Sequence, residues 1–322
     1  MSMAEAKIKA IAPWFGGKRT LAPRIVAELG PHTQYFEPFC GSMAVLFAKE
    51  ASQKETVNDL HGDLVNLARV LQSPPAAQIL YHRLQSALFC EGLLHDANHM
   101  LDDESSLSLI VAHKEADDPI AIERAYWYFL ASWMIRNGVA GTGRLEYQLA
   151  VRWTKNGGSP TVRFRNAVES IPAWHERLRN VVILRRNAFF ILDRFEDCPG
   201  TAIYVDPPYM SGSRSGFGNH GAGSRYKHEF HHQATLLDQD DHAKLAEILR
   251  GYTKARIVVS YYDCPRVREL YDGWTAVACP INKNMRVTAG RGTGKAQMAP
   301  EMLLINGESR TVNTPGPADM IP

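Results

Sequence analysis

The sequence predicts an α/β protein whose sheet is divided along the chain by a largely helical insertion. Three observations lead to this prediction. Strand and helix patterns alternate over residues 19–71, the alternation returns after residue 181, and the segment between them is mainly helical in pattern. The length of 322 residues is enough for about two domains of ordinary size, or for one large domain with an inserted piece.

The first part of the alternation opens with a predicted helix at residues 19–29. Apolar spacing then predicts a strand, a helix, a strand and a helix at residues 34–37, 42–50, 55–58 and 62–71. This order is typical of a parallel sheet with helical crossovers. Pro74 and Pro75 end the pattern, because proline inside a helix removes a hydrogen bond and clashes with the preceding turn.

The predicted insertion spans residues 73–178. Helical patterns at 76–89 and 120–136 flank an acidic stretch at 102–118, which we expect to form a loop. Alternation at 152–154 and 161–164, separated by a Gly-Gly pair, predicts a β-hairpin. Between positions 136 and 166 the chain has six Lys or Arg residues against a single acidic one. We expect this region to contact phosphates, with a solvated basic face as the alternative.

Strand patterns resume in the second part of the chain. They lie at residues 181–184, 202–205, 256–260 and 302–305, with a helix at 240–250 between the second and third. We therefore predict one sheet domain built from residues 1–72 and 179–310. Residues 311–322 are rich in proline and lack periodicity, so we expect a flexible tail.

Composition excludes several classes of protein. Hydrophobic residues make up 45% and charged residues 22%, which argues against extensive disorder, a collagen-like chain or a coiled coil. The formal net charge is only +2, so a nucleic acid would have to be bound by a local basic cluster. Five cysteines without a C-x-x-C pair argue for reduced thiols in the cytoplasm and against a zinc ribbon. No stretch approaches 18 consecutive apolar residues, so we expect no membrane span.

Histidines and aromatic residues suggest two further sites, and we prefer a structural interpretation of both. His228, His231, His232 and His242 lack regular ligand spacing and a nearby cysteine, so we expect no metal. Four aromatic residues fall within one strongly apolar helix, which favours the core over base stacking: Tyr126, Trp127, Phe129 and Trp133.

The most specific pattern is Asp206-Pro207-Pro208-Tyr209, which follows an apolar strand. Two prolines turn the backbone out of the sheet as a stiff loop at the carboxyl end of the strand, where ligands bind in open α/β sheets. The loop offers a carboxylate, the carbonyl of Pro207 and an aromatic face. Such a set can grip an exocyclic amine by both hydrogens and stack its ring. The alternative is a strand-terminating turn with a capping Asp, which a lone Asp-Pro would favour.

Three earlier segments favour a bound cofactor. The Gly16-Gly17 pair permits close backbone approach, and Lys18 can pair with the carboxylate of a bound amino acid moiety. The glycine turn at Gly41-Ser42 leads from a strand into a helix and lets a cofactor lie against the backbone. Asp59, at the tip of the next strand, suits ribose hydroxyls, with a helix N-cap as the alternative.

These motifs carry a family resemblance. Asp206-Pro207-Pro208-Tyr209 resembles the catalytic motif of amino-group methyltransferases that use S-adenosylmethionine, especially the Dam-like DNA adenine-N6 methyltransferases of phages and prophages. Other segments are similar to motifs of that family in the same order, and they cover roughly residues 10 to 306. These are Trp14-Phe15-Gly16-Gly17-Lys18, Phe36-Glu37-Pro38-Phe39-Cys40-Gly41-Ser42, Asn58-Asp59, Tyr226-Lys227-His228-Glu229-Phe230, Ser260-Tyr261-Tyr262-Asp263 and Glu301-Met302-Leu303-Leu304-Ile305-Asn306.

The resemblance implies a Rossmann-like methyltransferase sheet with helices on both faces and an inserted, mainly helical target-recognition domain. It implies methyl transfer from S-adenosylmethionine to N6 of adenine in double-stranded DNA, with the target base flipped. The implied catalytic residues are Asp206, Pro207, Pro208 and Tyr209. The implied cofactor-binding residues are Trp14, Lys18, Phe36, Pro38, Gly41, Ser42, Asp59, Asn187 and Asp206. The DNA-binding residues expected from the basic region are Arg136, Asn137, Arg144, Arg152, Lys155, Arg163 and Arg165.

Two positions depart from the family pattern, and two other functions remain alternatives. Met43 stands where relatives commonly have glycine, which would narrow the space around the cofactor. Asn187 stands where they often have an aspartate that accepts from the cofactor's adenine amine. One alternative is a methyltransferase for cytosine-N4 or an RNA amine, and the other is a DNA-binding module whose cofactor pocket has decayed. We expect a cytoplasmic protein of a bacterial or phage-infected cell, either a monomer or a dimer on DNA.

Overall fold

The computed structural model describes residues 6–14, 16–102, 115–135, 149–151, 158–209, 239–279, 281–282 and 298–311. Within these ranges the helices are α1 (Ala22–Leu29), α2 (Ala44–Ala48), α3 (Gly62–Gln72), α4 (Pro74–Gln85), α5 (Glu91–Asp102), α6 (Pro119–Met134), α7 (Pro160–Leu178), α8 (Ala188–Leu192), α9 (Gln239–Arg250) and α10 (Pro265–Leu270). The strands are β1 (Gln34–Glu37), β2 (Lys54–Asn58), β3 (Val181–Leu184), β4 (Thr201–Val205), β5 (Arg256–Tyr262), β6 (Thr275–Ala278), β7 (Ile281–Asn282), β8 (Met298–Ala299) and β9 (Glu301–Ile305).

A seven-stranded sheet forms the centre of the fold, with strand order β3-β2-β1-β4-β5-β9-β6. The first five strands of this order run parallel, and β9 is antiparallel to both β5 and β6. Strands β7 and β8 form a separate antiparallel pair. The predicted α/β class is confirmed, and both parts of the chain contribute strands to one sheet. No helix in the described ranges is long and apolar enough to cross a bilayer.

Helices cover both faces of the sheet. The buried strand residues belong to two hydrophobic clusters, one on each face. Tyr35 and Tyr204 belong to the first cluster, with α3, α4, α6 and α7. Phe36 and Ile203, their neighbours in sequence, belong to the second cluster, with α9. Because successive strand residues point to opposite faces, this alternation follows directly from the strand geometry. The predicted helices on both faces are therefore confirmed.

Two adjacent prolines end α3 and begin α4. Ser73 occupies the C-cap of α3 and the N-cap of α4, so Pro74 and Pro75 fall in the first turn of the new helix. Proline fits there, because an amide hydrogen at that position would have no helical partner. The sequence correctly predicts the interruption, but α4 begins at the prolines rather than after them.

The prediction of a β-hairpin is wrong for the half of it that the structure describes. Residues 161–164 belong to α7, while 152–154 lie outside the described residues. Phe164, Val168, Ile171 and Trp174 are buried on one side of α7, at helical spacing. The short alternation around Phe164 is thus part of a longer helical pattern, which begins with Pro160 in the first turn.

Three further comparisons concern the segment predicted as the insertion and the predicted tail. Helix α5 is absent from the prediction, and it reaches into the start of the stretch expected to be a loop. Of the four aromatic residues of α6, Tyr126, Phe129 and Trp133 are buried and Trp127 packs partly buried against the first cluster, so their assignment to the core is confirmed. The chain is ordered through Thr311, which contacts α1, and the rest of the predicted tail lies outside the described residues.

Candidate active site

A single cavity lies at the carboxyl ends of β1, β2 and β4. Its walls come from Trp14 and the glycine pair up to Lys18, the loop after β1, the tip of β2, the loop after β4 and the first residue of β9. Because neighbouring parallel strands end at the same edge of a sheet, these loops converge although they are far apart in sequence. The cavity therefore joins the early glycine motifs to the Asp206–Tyr209 loop.

The glycine turn between β1 and α2 requires a residue without a side chain. Gly41 has φ of 45°, and an added Cβ would lie 2.8 Å from Nε1 of Trp14. The indole of Trp14 thus lies directly against the turn, and both residues line the cavity. The neighbouring Ser42 also lines the cavity, and its carbonyl accepts from the amide of Ile11 at 3.2 Å.

Met43 has a left-handed backbone conformation, with φ of 61° and ψ of 30°. For a residue with a Cβ this conformation costs roughly 1–2 kcal/mol, which accounts for glycine being the easier residue at this position. Its side chain is fully buried in the first hydrophobic cluster and does not belong to the cavity wall. The departure from glycine is thus accommodated in the core, and the expected narrowing of the cavity is not observed.

Asp59 links the tip of β2 to the glycine turn. Its Oδ2 accepts from the amide of Gly41 at 2.9 Å, and its Oδ1 accepts from the amide of His61 at 2.9 Å. Burial raises the pKa of this carboxyl above its ordinary value. The N-cap of α3 is His61, whose Nδ1 accepts from the amide of Leu64 at 3.2 Å, so the alternative of Asp59 as N-cap is wrong.

Asn58 connects the loops that follow β1 and β3. Its Nδ2 donates to the carbonyls of Pro38 and Arg186, both at 2.9 Å, and its Oδ1 accepts from the amide of Arg186 at 2.8 Å. The side chain is 1% exposed, so these three bonds satisfy a buried amide. No role was predicted for Asn58 from the sequence; the available signal was an amide at the end of a predicted strand, next to Asp59.

The carboxylate of Asp206 is held from two sides. Lys18 Nζ lies 2.9 Å from Oδ1, and the hydroxyl of Ser260 donates to the same oxygen at 2.8 Å. Ser260 is fully buried on β5, and its hydroxyl lies 2.9 Å from that of Tyr204. Pro207 and Pro208 of the same loop also line the cavity. Neither Ser260 nor Tyr204 was predicted as part of the site.

Lys18 lies among the chain's own polar groups. Besides contacting Asp206, its ammonium donates to the carbonyl of Gly16 at 2.8 Å and lies 3.3 Å from Oε1 of Glu301. It also sits 4.9 Å from the centre of the Tyr209 ring. With a relative exposure of 7%, Lys18 is a buried cation between two carboxylates. Lys18 therefore contacts both ends of the Asp206–Tyr209 loop, and these contacts were not predicted from the sequence.

The ring of Tyr209 is enclosed by other aromatic rings. It makes an edge contact with Tyr262, at a centroid distance of 4.7 Å, and a tilted contact with Tyr261 at 5.7 Å. Its hydroxyl donates to Oε1 of Glu301. Burial, together with the carboxylates of Asp206 and Glu301, raises the pKa of the phenol well above its ordinary value, so the hydroxyl stays protonated as a donor.

Carboxylates dominate the charge of the cavity. Glu37, Asp59, Asp206 and Glu301 line it, against Lys18 as the single Lys or Arg among the described lining residues. Burial raises the pKa of Glu37 to about 8, and the nearby carboxylates of Asp206 and Asp59 act in the same direction. Glu37 is 2% exposed and accepts from the hydroxyl of Tyr35 at 2.8 Å. With a pKa of about 8, Glu37 is mostly protonated at neutral pH, but the other three acidic side chains still outnumber Lys18, and such a lining suits a cationic ligand.

Two predicted cofactor-binding residues lie outside the cavity wall. Phe36 is fully buried in the second cluster, and its ring stacks on Phe195 at 4.6 Å. The side-chain carbonyl of Asn187 accepts from the amide of Phe189 at 2.9 Å and so caps α8. The other seven predicted cofactor-binding residues line the cavity: Trp14, Lys18, Pro38, Gly41, Ser42, Asp59 and Asp206.

The structure describes only two of the predicted DNA-binding residues. Arg163 and Arg165 both lie on α7, where the guanidinium of Arg163 donates to the carbonyls of Trp133 and Ile135, each at 3.2 Å, and Arg165 is exposed. The remaining predictions lie outside the described residues: Arg136, Asn137, Arg144, Arg152 and Lys155.

Of the four histidines considered above, His242 is the one that the structure describes. It is buried, its Nδ1 lies 2.8 Å from the hydroxyl of Tyr261, and burial lowers its pKa to about 4. Within the described ranges, no three His, Cys, Asp or Glu side chains are arranged to hold a metal ion.

Comparison with known proteins adds a family and two relatives. A family model described as D12 class N6 adenine-specific DNA methyltransferase matches residues 14–287. The type II methyltransferase M1.LlaDCHI of Lactococcus lactis subsp. cremoris is 26% identical over 275 residues, which cover 82% of this chain and 84% of the relative. The retron Ec67 DNA adenine methylase of Escherichia coli is 24% identical over 308 residues, which cover 92% and 91% of the two chains.

Proposed function

The chain belongs to the D12 class N6 adenine-specific DNA methyltransferase family, and on that premise we propose that it uses S-adenosylmethionine to methylate N6 of an adenine in double-stranded DNA. The adenine amine is recessed in a stacked duplex, so the proposal includes flipping of the target base into the cavity. We further expect the enzyme to act on DNA in the cytoplasm of a bacterial or phage-infected cell.

One observation carries the proposal: the glycine turn at Gly41 and the Asp206–Tyr209 loop line the same cavity. A methyl transfer needs its donor and its acceptor nitrogen side by side, because much of the rate comes from holding the reacting atoms in line. If the two motifs lined separate cavities, a cofactor at one motif could not reach a base at the other.

The residues of the cavity fit the proposed cofactor. Gly41 and Ser42 offer close backbone approach beside Trp14, and Asp59 at the tip of β2 faces the same space. When bound, S-adenosylmethionine supplies an electrophilic methyl group on a positively charged sulfur. The carboxylates of the wall provide the opposite charge.

At the other end of the cavity, Asp206, the carbonyl of Pro207 and the ring of Tyr209 are proposed to receive the target adenine. Both contacts to the Asp206 carboxylate, from Lys18 and Ser260, reach Oδ1. We therefore assign the bond from the adenine amine to Oδ2. Accepting both amine hydrogens draws the nitrogen lone pair out of the ring and toward the methyl group, so positioning and electrostatics carry the reaction.

Target recognition is proposed for residues 73–178. The helices α4, α6 and α7 of this segment pack on α3, which directly follows Asp59 and His61 of the cavity region. Exposed Arg165 on α7 is a candidate for contact with the DNA phosphates, as are the basic residues between positions 136 and 155.

The test is methylation of plasmid DNA, followed by mass spectrometry of the digested nucleosides and single-molecule sequencing. We expect N6-methyladenine in one sequence context, whereas N4-methylcytosine would contradict the assigned base. Asp206→Ala should abolish transfer while the chain stays folded, and Asp272→Ala, which removes an exposed carboxylate outside the cavity, should not. Turnover retained in Asp206→Ala would refute the role of this loop.

A further inference from the structure

Glu301 is a buried carboxylate of the cavity that the mechanism above does not use. It is the first residue of β9, is 6% exposed and pairs in register with Tyr262 of β5. A glutamate almost never becomes buried unless its charge is compensated. Its position beside the proposed acceptor site therefore calls for an explanation in terms of its partners.

Those partners belong to the reaction site. Oε1 of Glu301 accepts from the hydroxyl of Tyr209 and lies 3.3 Å from Nζ of Lys18, which also contacts Asp206 at 2.9 Å. The glutamate thus contacts the far end of the loop that begins with Asp206. Lys18 thus places a cationic group beside the buried carboxyl of Glu301.

We propose that Glu301 is a positioning residue, which tethers the phenol hydroxyl of Tyr209 and so fixes the orientation in which the ring meets the flipped base. This inference rests on the proposed function.

The surroundings of the ring explain why a tether is needed. Tyr262 and Tyr261 contact the ring through an edge and a tilted face, and such contacts allow a ring to slide and rotate. A hydrogen bond at the hydroxyl fixes the one point of the ring farthest from the backbone. Burial and the neighbouring carboxylates raise the pKa of the phenol, which favours the protonated hydroxyl as the donor to Glu301.

The experiment compares Glu301→Ala, Tyr209→Phe and the double variant in the full-length protein. A DNA duplex with 2-aminopurine at the target adenine reports flipping and stacking by fluorescence. Titration calorimetry reports S-adenosylmethionine affinity, and thermal unfolding reports stability. Each single variant should lose about tenfold in kcat, the size expected when one bond to a charged group is lost from the transition state, and should show altered 2-aminopurine fluorescence. S-adenosylmethionine affinity should change less than twofold in Tyr209→Phe, which keeps every carboxylate of the cavity.

Two further variants separate tethering from a general structural role. Glu301→Gln keeps a carbonyl that can accept from Tyr209, so it should recover part of the rate and most of the fluorescence signal. Glu247→Ala removes an exposed glutamate from α9 and should behave as wild type. The double variant should be no slower than the worse single one, because both changes break the same bond.

Several results would overturn the inference. These are a wild-type rate in Tyr209→Phe, effects that multiply in the double variant, or no rescue by Glu301→Gln. If Glu301→Ala does not fold, Tyr209→Phe decides alone, since it removes the bond while keeping the ring. If the wild-type protein itself fails to methylate adenine, the proposed function fails instead, and the two failures are thereby distinguished.

Discussion

Glu37→Gln should make the folded protein more stable at alkaline pH. Glu37 is 2% exposed, and its pKa is raised from an ordinary value of 4.5 to about 8, mainly by burial. A raised pKa means that the stability contributed by the protonated form is fully present below pH 4.5 and is lost as the pH rises through 8. Glutamine has nearly the same shape, does not titrate and keeps a carbonyl for the hydroxyl of Tyr35.

The magnitude follows from the two pKa values. Each pKa step of one is worth about 1.4 kcal/mol, so ionising Glu37 completely costs the folded state about 5 kcal/mol. Most of that difference falls between pH 5 and pH 9. Over this interval the free energy of unfolding of Glu37→Gln, minus that of the wild type, should rise by about 4 kcal/mol.

Urea denaturation followed by circular dichroism at pH 5, 7 and 9 measures this difference. Glu50→Gln is the matched control, because Glu50 is an exposed carboxylate that follows α2. Its difference from the wild type should stay flat over the same range. A flat difference for Glu37→Gln as well would refute the argument that burial raises the pKa of Glu37.

The remaining predictions concern Gly41 and Glu28. Gly41→Ala should cost about 1–3 kcal/mol of stability and weaken S-adenosylmethionine binding at least tenfold by calorimetry, because the φ of Gly41 is 45° and the new Cβ would meet Trp14. The control is Gly92→Ala, which should be neutral because no atom lies within 4 Å of its new Cβ. Equal behaviour of the two variants would contradict this reasoning. Glu28→Ala should destabilise the fold by about 3–5 kcal/mol and expose residues 308–311 to limited proteolysis. The reason is that the buried Glu28 carboxylate accepts from the Ser309 hydroxyl at 2.6 Å and from the Arg310 amide at 2.8 Å. An unchanged midpoint of urea denaturation would contradict this prediction.

Local patterns were enough to predict most of the sheet. The predicted strands at residues 34–37 and 181–184 coincide with β1 and β3. Strand β3 is a run of four apolar residues, and β1 has Tyr35 and Phe36 between two polar residues. The Asp206–Tyr209 loop was found for a similar reason, since two prolines after an apolar strand determine the backbone locally. Where part of the cavity wall comes from four consecutive residues, the sequence suffices to predict it.

Other parts depend on contacts that no local pattern contains. The region around Phe164 alternates over four residues, and only its packing against other helices distinguishes a helix from a strand. Glu301 and Ser260 reach the site through the pairing of β9 with β5, and Glu37 stands out because of its burial. All three residues belong to segments that resemble family motifs, but the part that each plays in the cavity follows from the tertiary structure.

The antiparallel insertion of β9 between β5 and β6 has a consequence for biosynthesis. As the chain leaves the ribosome, β6 emerges before the strand that joins it to the sheet. Until residues 301–305 have cleared the exit tunnel, β5 has a bare edge and the tyrosine tether does not exist. A nascent chain can thus assemble its glycine turn early, yet its chemistry should switch on only after residues 301–305 have emerged and β9 has paired with β5.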